Sequence, residues 1–217
     1  MNRIVIFESM SKQPSRFIII SSLIALAYAC QMKGSSQQLR NEAGATPNTN
    51  RSQNRDREPL QLPIEKPRVV VYKGERKLEF YSDQKLLRTY RVGLGFSPVI
   101  DKTREGDGAT PEGEFYIFVK NSKSAYYLSL GVSYPNAEDA DRGLHDGLIT
   151  KAQRDTIVDA IRRKAAPPQY TKLGGLIYIH GHGSASDWTW GCVALENEDI
   201  KELYEAVSIG TPVTILH

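Results

Sequence analysis

Two side chains that could carry covalent chemistry stand at the two ends of one segment of this 217-residue sequence. His180 ends an apolar run, and Cys192 lies twelve residues later, directly after Gly191. A free thiol has a pKa of about 8.5, so at neutral pH it needs a base, and an imidazole accepts protons in the right range. The pair predicts a cysteine nucleophile that is activated by His180.

Backbone groups beside these two residues could complete such a site. A carbonyl such as that of Gly181 could accept the second ring N–H of His180 and orient the imidazole. Gly191 would leave the amides of residues 190–192 free to stabilise an oxyanion. We therefore predict catalytic roles for Cys192, His180, Gly181 and Gly191.

Other interpretations of this segment stay open. His182 could replace His180 as the base, and the two histidines could bind zinc together with Asp187 and Cys192. Their spacing matches no familiar zinc signature, so we predict neither a metal nor a cofactor. Cys192 could also be a buried residue that acts only as a small hydrophobe.

The aromatic residues of the segment also allow two interpretations. Trp188 and Trp190 could cover the core or flank a substrate groove, whereas Tyr178 favours the core. We predict that Trp188, Thr189, Trp190 and His182 contact the substrate.

Residues 1–30 have the layout of a secretory signal peptide. The apolar stretch 17–29 follows basic residues and is too short to span a bilayer, which needs about 20 apolar residues. Residues 26–30 resemble a lipobox, which predicts lipidation of Cys30, with plain cleavage or an uncleaved anchor as alternatives. Since the chain has 2 cysteines, Cys192 would then be a lone thiol in an oxidising compartment.

The composition changes again after this leader. Residues 31–67 are rich in Gln, Asn, Ser, Arg and Pro and poor in aliphatic residues, which predicts a disordered linker. Residues 68–217 have the patterning of one folded domain, the predicted catalytic domain. The net charge of +3 is too small to indicate nucleic-acid binding.

The domain is predicted to be mainly β, because apolar and polar residues alternate between turn signals over most of its length. A β-sandwich or barrel with a few peripheral helices is the expected fold class. The predicted strands are 68–72, 77–82, 86–95, 114–120, 126–134, 176–180 and 212–216.

Two helices are predicted outside the sheet. Apolar residues recur four apart among charges in residues 150–164, which is amphipathic helical spacing. A second helix begins with Asn197 as its N-cap and ends at Gly210. The acidic stretch around His145 favours a solvated loop or a short helix.

Several motifs, in this order along the chain, resemble one known family. Residues 177–181 (IYIHG) and the later Gly191-Cys192 are similar to the L,D-transpeptidase catalytic domain, also called YkuD. The likeness covers residues 68–217. The turn 106–113 (GDGATPEG) resembles that family's turn-and-strand signature, and 130–136 (LGVSYPN) and 187–192 (DWTWGC) resemble its YafK-like subgroup.

The resemblance implies roles for individual residues. Cys192 would be the acylated nucleophile, His180 its base, and the Gly181 carbonyl the group that orients the imidazole. Backbone near Cys192 would form the oxyanion hole. The commoner family pattern is Ser-His-Gly-Cys, and here Thr189 and Trp190 fill the first two positions, so a second loop histidine is missing.

The resemblance also implies a substrate. Such enzymes attack the L-centre of diaminopimelate in peptidoglycan stem peptides and form a thioester. An amine acceptor then gives a 3-3 crosslink or attaches a lipoprotein, and water gives hydrolysis or lipoprotein release. The expected partners are stem peptides and a wall-linked lipoprotein, without nucleic acid.

The expected location is the periplasm, with an N-terminal lipid anchor as the only membrane contact and the outer membrane favoured. Because Trp190 replaces a histidine, a catalytically inactive wall-binding lipoprotein is the alternative function.

Overall fold

An eight-stranded sheet is the frame of residues 58–217, the part of the chain that the computed structural model describes. The strand order is β3-β2-β1-β8-β4-β5-β6-β7. No helix in this part of the chain is long and apolar enough to cross a membrane. The strands are β1 (Pro67–Tyr72), β2 (Lys77–Ser82), β3 (Lys85–Arg91), β4 (Gly113–Ser124), β5 (Tyr127–Val132), β6 (Tyr178–His180), β7 (Val193–Ala194) and β8 (Pro212–Leu216).

The first three strands form the antiparallel meander that the alternating pattern predicts. Their inward side chains, including Val69, Val71 and Phe80, are fully buried in the main core. The last strand, β8, lies between β1 and β4, parallel to the former and antiparallel to the latter. The C-terminal strand therefore joins the meander to the half of the sheet that carries β5, β6 and β7.

The sheet curls until its two ends approach each other. The segment after β3 reaches β7 through a bridge between Gly93 and Ala194, and Gly95 bridges to Thr189. The result is a half-barrel whose core is closed by one helix, since Ile200 and Leu203 belong to the same buried cluster as the strands. This confirms the predicted fold class, mainly β with peripheral helices.

Three helices are found in residues 58–217: α1 (Ala137–His145), α2 (Lys151–Arg162) and α3 (Asn197–Ala206). The short-helix alternative for the acidic stretch is the one adopted, because Asn136 and Asp139 form a reciprocal capping box at its start. The prediction for α3 was wrong at both ends. Glu196 is its N-cap and the helix ends before Gly210, while Asn197 is already helical and its side chain accepts the His182 amide.

The packed domain begins before Arg68. Leu60 and Ile64 pack against the main core, and the carbonyl of Glu58 accepts a hydrogen bond from Arg88. The short run around Leu60 is richer in apolar side chains than the rest of the predicted linker, and burial of Leu60 and Ile64 offsets the entropy of ordering the chain. Cys30, the leader and most of the linker lie outside the described residues.

Candidate active site

Two neighbouring strands bring His180 and Cys192 to one face of the sheet. His180 ends β6, and Cys192 directly precedes β7, which pairs with β6 in parallel with Ile179 beside Val193. Ile179 and Val193 are fully buried in the core, so side chains one position away project from the opposite face. Both His180 and Cys192 line a cavity of about 550 Å³ on that face.

The His180 ring is held in one tautomer. Its Nδ1 lies 2.7 Å from the Gly181 carbonyl oxygen. A carbonyl only accepts hydrogen bonds, so Nδ1 carries the proton and Nε2 keeps its lone pair. The imidazole is 3% exposed, and this burial lowers its pKa below 6.5, although the Gly181 carbonyl opposes the shift. His180 is therefore a neutral ring with a free basic nitrogen.

Two aromatic side chains fix the plane of that ring. Tyr126 stacks on His180 with 4.6 Å between ring centroids and 28° between the planes. Trp188 meets the imidazole edge-on at 5.5 Å, and its Nε1–H donates to the Gly183 carbonyl at 3.1 Å. Packing from two sides restricts the ring to an orientation that a lone loop histidine would not keep.

The Cys192 sulphur contacts backbone rather than the imidazole. The Tyr178 amide donates to Sγ at 3.4 Å, and the thiol donates to the Leu176 carbonyl at 3.5 Å. Within residues 58–217 no hydrogen bond joins Cys192 to His180. Burial raises the pKa of the half-buried thiol to about 11, so the resting site holds a neutral thiol beside a neutral imidazole.

The turn before Cys192 is braced by Thr189. Its Oγ1 donates to the Cys192 carbonyl at 2.8 Å and accepts from the Gly191 amide at 3.1 Å. The expectation that all three amides of residues 190–192 are free is therefore wrong for Gly191. Within residues 58–217 the Cys192 amide has no acceptor, so it is the better candidate for an oxyanion donor.

Glycine is required at two of the predicted catalytic positions by close backbone approach. Gly191 has φ +122°, and a Cβ there would lie 2.5 Å from the Ala109 carbonyl oxygen. A Cβ on Gly181 would lie 2.5 Å from Oδ1 of Asn197. The contact at Gly191 is with backbone and leaves no room for a side chain. A side chain at Gly181 would displace the Asn197 amide and press on the Tyr126 carbonyl oxygen at 3.0 Å, so both glycines let the loop pack tightly around the thiol and the imidazole.

The four predicted substrate contacts divide into two sets. Trp188, Thr189 and Trp190 line the cavity that holds Cys192, and Trp190 lies at its rim, 70% exposed and edge-on to Phe96 at 4.7 Å. His182 does not line this cavity. It lines a second cavity of about 360 Å³ that Trp188 and Tyr126 separate from the first.

Comparison with known families gives the assignment. The L,D-transpeptidase catalytic domain family, YkuD, matches residues 66–215, which is most of the chain. The chain belongs to this family. Its YafK-like subgroup stays a prediction, and none of the curated proteins compared with the chain matches it.

Solved structures with a similar fold come from several bacteria. The helical cell shape determining protein Pgp2 from Campylobacter jejuni is 23% identical, with 70% of this chain and 48% of that chain covered and a TM-score of 0.48. An L,D-transpeptidase from Mycobacterium smegmatis is 12% identical, with 70% and 59% covered and a TM-score of 0.42. This L,D-transpeptidase domain thus spans about half the length of the first structures that it matches.

Part of the cavity of the L,D-transpeptidase domain comes from residues that sequence reasoning missed. The β4–β5 hairpin contributes Asn121, Lys123, Tyr126 and Ser129. These residues lie more than 50 positions before His180, and no local motif marks them. Tyr178, expected in the core, is half-buried and lines the cavity as well.

An ion pair anchors the loop between His180 and Cys192. The Asp187 carboxylate accepts hydrogen bonds from Nε of Arg76 at 3.0 Å and from Nη2 of Arg76 at 2.8 Å. Its Oδ1 also accepts a hydrogen bond from the Leu94 amide at 2.9 Å. Asp187 is thus used in holding the loop against the β1–β2 turn. Within residues 58–217 no group of three or more His, Cys, Asp or Glu side chains converges as a metal site.

Proposed function

We propose that this L,D-transpeptidase domain is a cysteine acyltransferase or hydrolase that acts on peptidoglycan stem peptides, with Cys192 as nucleophile and His180 as base. One observation carries the proposal. The thiol and the imidazole open onto the same cavity from adjacent strands, and the Gly181 carbonyl leaves Nε2 of His180 as the free basic nitrogen.

The first step is acylation of the thiol. Both groups are neutral at rest, so the thiol must give its proton to the imidazole. Because the resting thiol donates to the Leu176 carbonyl, the Cys192 side chain must rotate away from that carbonyl before the S–H can reach Nε2. The sulphur attacks the carbonyl carbon of the diaminopimelate L-centre while its proton passes to Nε2 and then to the leaving amine. The Cys192 amide supports the oxyanion during this step.

The second step regenerates the thiol. An amine or a water molecule attacks the thioester carbon, the C–S bond breaks, and the acceptor's proton passes through Nε2 to the sulphur. An amine gives a crosslink or an attached lipoprotein, and water gives hydrolysis or lipoprotein release. We favour hydrolysis or release, in keeping with the motifs at 130–136 and 187–192.

The charge of the cavity supports a substrate that carries carboxylates. Its lining includes Lys123 and no Asp or Glu. A stem peptide presents several carboxylates, and in a cavity without competing acidic groups a lysine attracts them.

The inactive alternative has less support. It rests on Trp190, which stands where many relatives carry a histidine. Trp190 packs on Phe96 at the rim, whereas His180 keeps its carbonyl partner and its aromatic contacts. The base does not depend on the position that Trp190 fills.

Substitution of each cysteine in the full chain tests the proposal. The protein is incubated with crosslinked sacculi and with purified muropeptides, and the products are resolved by mass spectrometry. Cys192→Ala should abolish turnover, because no other thiol lies in the domain, and Cys30→Ala should retain it in detergent. Undiminished turnover by Cys192→Ala would remove the thiol from the mechanism, and the products of the intact protein identify the acceptor.

We further propose that the chain is exported and lipidated at Cys30, which would tether the domain to a periplasmic membrane surface. The apolar stretch 17–29 and the lipobox-like residues 26–30 support this. Incorporation of labelled palmitate and fractionation with outer membranes should both be lost in Cys30→Ala. Label in that variant, or a soluble intact protein, would contradict lipidation.

A further inference from the structure

Ser129 is a buried hydroxyl of the candidate active site to which sequence analysis assigned no role. It lies on β5 directly opposite His180 of β6, so both side chains leave the sheet on the same face. Its neighbour Leu130 is fully buried in the core on the other face. Ser129 is 4% exposed and lines the cavity that holds Cys192.

The Ser129 hydroxyl makes no hydrogen bond within residues 58–217. Two other buried serines behave differently: Ser133 Oγ accepts the Tyr116 amide at 2.9 Å, and Ser184 Oγ donates to Glu196 at 2.9 Å. A buried hydroxyl without a partner is unfavourable because it has lost its hydrogen bonds to water, so such groups are rare unless a ligand or a water molecule supplies a partner. The Ser129 hydroxyl is therefore available to form hydrogen bonds with a molecule that enters the cavity.

The order of the strands indicates which reactant this is. His180 on β6 lies between Ser129 on β5 and Cys192 beside β7. The acyl group is bonded to Cys192, so Ser129 is on the far side of the base from the thioester. Asn121 of β4 lies opposite Ser129 and extends the row of polar side chains away from Cys192.

We propose that Ser129 Oγ binds the acyl acceptor in the second step, an inference that rests on the proposed function. The acceptor, an amine or water, donates one hydrogen to Ser129 Oγ and directs another to Nε2 of His180. The acceptor's lone pair attacks the thioester carbon while one of its protons passes to Nε2, the C–S bond breaks, and that proton then passes from Nε2 to the sulphur. Acylation of Cys192 does not require this contact.

Rates of the two half-reactions in the full-length protein test the inference. Intact-protein mass spectrometry follows formation of the acyl-enzyme from a tetrapeptide muropeptide, and then its decay in water and with a second muropeptide as the amine. Ser129→Ala should leave acylation within about twofold of the wild-type rate. It should slow decay about tenfold, the effect of one lost hydrogen bond in a buried site, so that acyl-enzyme accumulates.

Three controls separate an acceptor contact from a structural role. Ser129→Thr, which retains the hydroxyl, should restore much of the decay rate. Ser133→Ala should lower the melting temperature without changing the ratio of the two rates, because it removes an amide's partner. Ser129→Ala should not lower the melting temperature, since it removes an unpaired group.

Equal slowing of both half-reactions, or no change in decay, would overturn the inference. Failure of the wild-type protein to form any acyl-enzyme would instead overturn the proposed function, and the inference with it.

Discussion

At the scale of single residues, the site is a neutral pair rather than an ion pair. Burial disfavours the charged form of each group, so it lowers the pKa of His180 and raises that of Cys192. In the proposed mechanism, proton transfer from the thiol to the imidazole then accompanies attack on the substrate. A neutral thiol also reacts more slowly with oxidants than a thiolate does.

The pH dependence of acylation follows from these two shifts. His180 stays unprotonated to below pH 6.5, so the acid limb of the rate should lie below that value. On the basic side the rate should keep rising above pH 9 toward about 11, as the Cys192 thiolate forms. Quenched mass spectrometry of the acyl-enzyme gives the profile, and an acid limb above pH 6.5 would contradict the lowered pKa of His180.

Lys123 should select for acidic substrates. Lys123→Gln should reduce kcat/KM about two- to fivefold for a stem peptide with free carboxylates, the size expected of an exposed charge pair. It should change little for the same peptide with amidated carboxyls, and the difference should shrink in high salt. Lys164→Gln, an exposed lysine outside the cavity, is the matched control, and equal effects from both variants would refute the role.

At the scale of elements, the β4–β5 hairpin completes the candidate active site that β6 and β7 begin. Its tip places Tyr126 on the imidazole, and the Tyr126 carbonyl accepts the Gly181 amide at 3.1 Å. The same hairpin carries Ser129 and Lys123 to the cavity. The orientation of the His180 ring therefore depends on an element far from it in sequence.

Removal of the Tyr126 ring should alter the base in a measurable way. Tyr126→Ala admits water to His180, so the pKa of the imidazole should rise back toward 6.5 and the acid limb of acylation should move up with it. The acylation rate should also fall about tenfold as the ring loses its orientation. Tyr126→Phe keeps the stacking and should match the wild-type profile. An unchanged acid limb in Tyr126→Ala would show that the tyrosine does not shield the base.

At the scale of the whole molecule, closure of the curled sheet holds the catalytic loop. The bridges from Gly93 and Gly95 bring the meander to the strand beside Cys192. Asp187 adds a side-chain anchor, because its carboxylate contacts both Arg76 and the Leu94 amide. The turn that bears Cys192 is thus fixed by strands more than 90 residues earlier in the chain.

A double-mutant cycle should detect this anchor. Arg76→Ala and Asp187→Ala should each lower the free energy of unfolding by about 1–2 kcal/mol, and the double variant should cost less than their sum. Urea unfolding gives the values. The exposed pair Lys151 and Asp155 on α2 is the control and should show little coupling, because solvent screens the two charges. Additive effects of Arg76 and Asp187 would show that the pair does not couple.

Local patterns in the sequence determined the main outline of this protein. Alternating polarity indicated a mainly β domain, since a strand buries every second side chain. The spacing of His180 and Cys192 and the motifs around them indicated the family, because both residues flank one short loop. The YkuD match over residues 66–215 bears out that resemblance.

Only the tertiary structure decided how the cavity around that pair is completed. Tyr126, Ser129 and Lys123 join it through strand pairing, and Arg76 supports it through closure of the sheet. The register between β5 and β6 is fixed by which faces pack into the common core, a property of contacts between segments distant in sequence. Such contacts leave no periodic signal within any single segment.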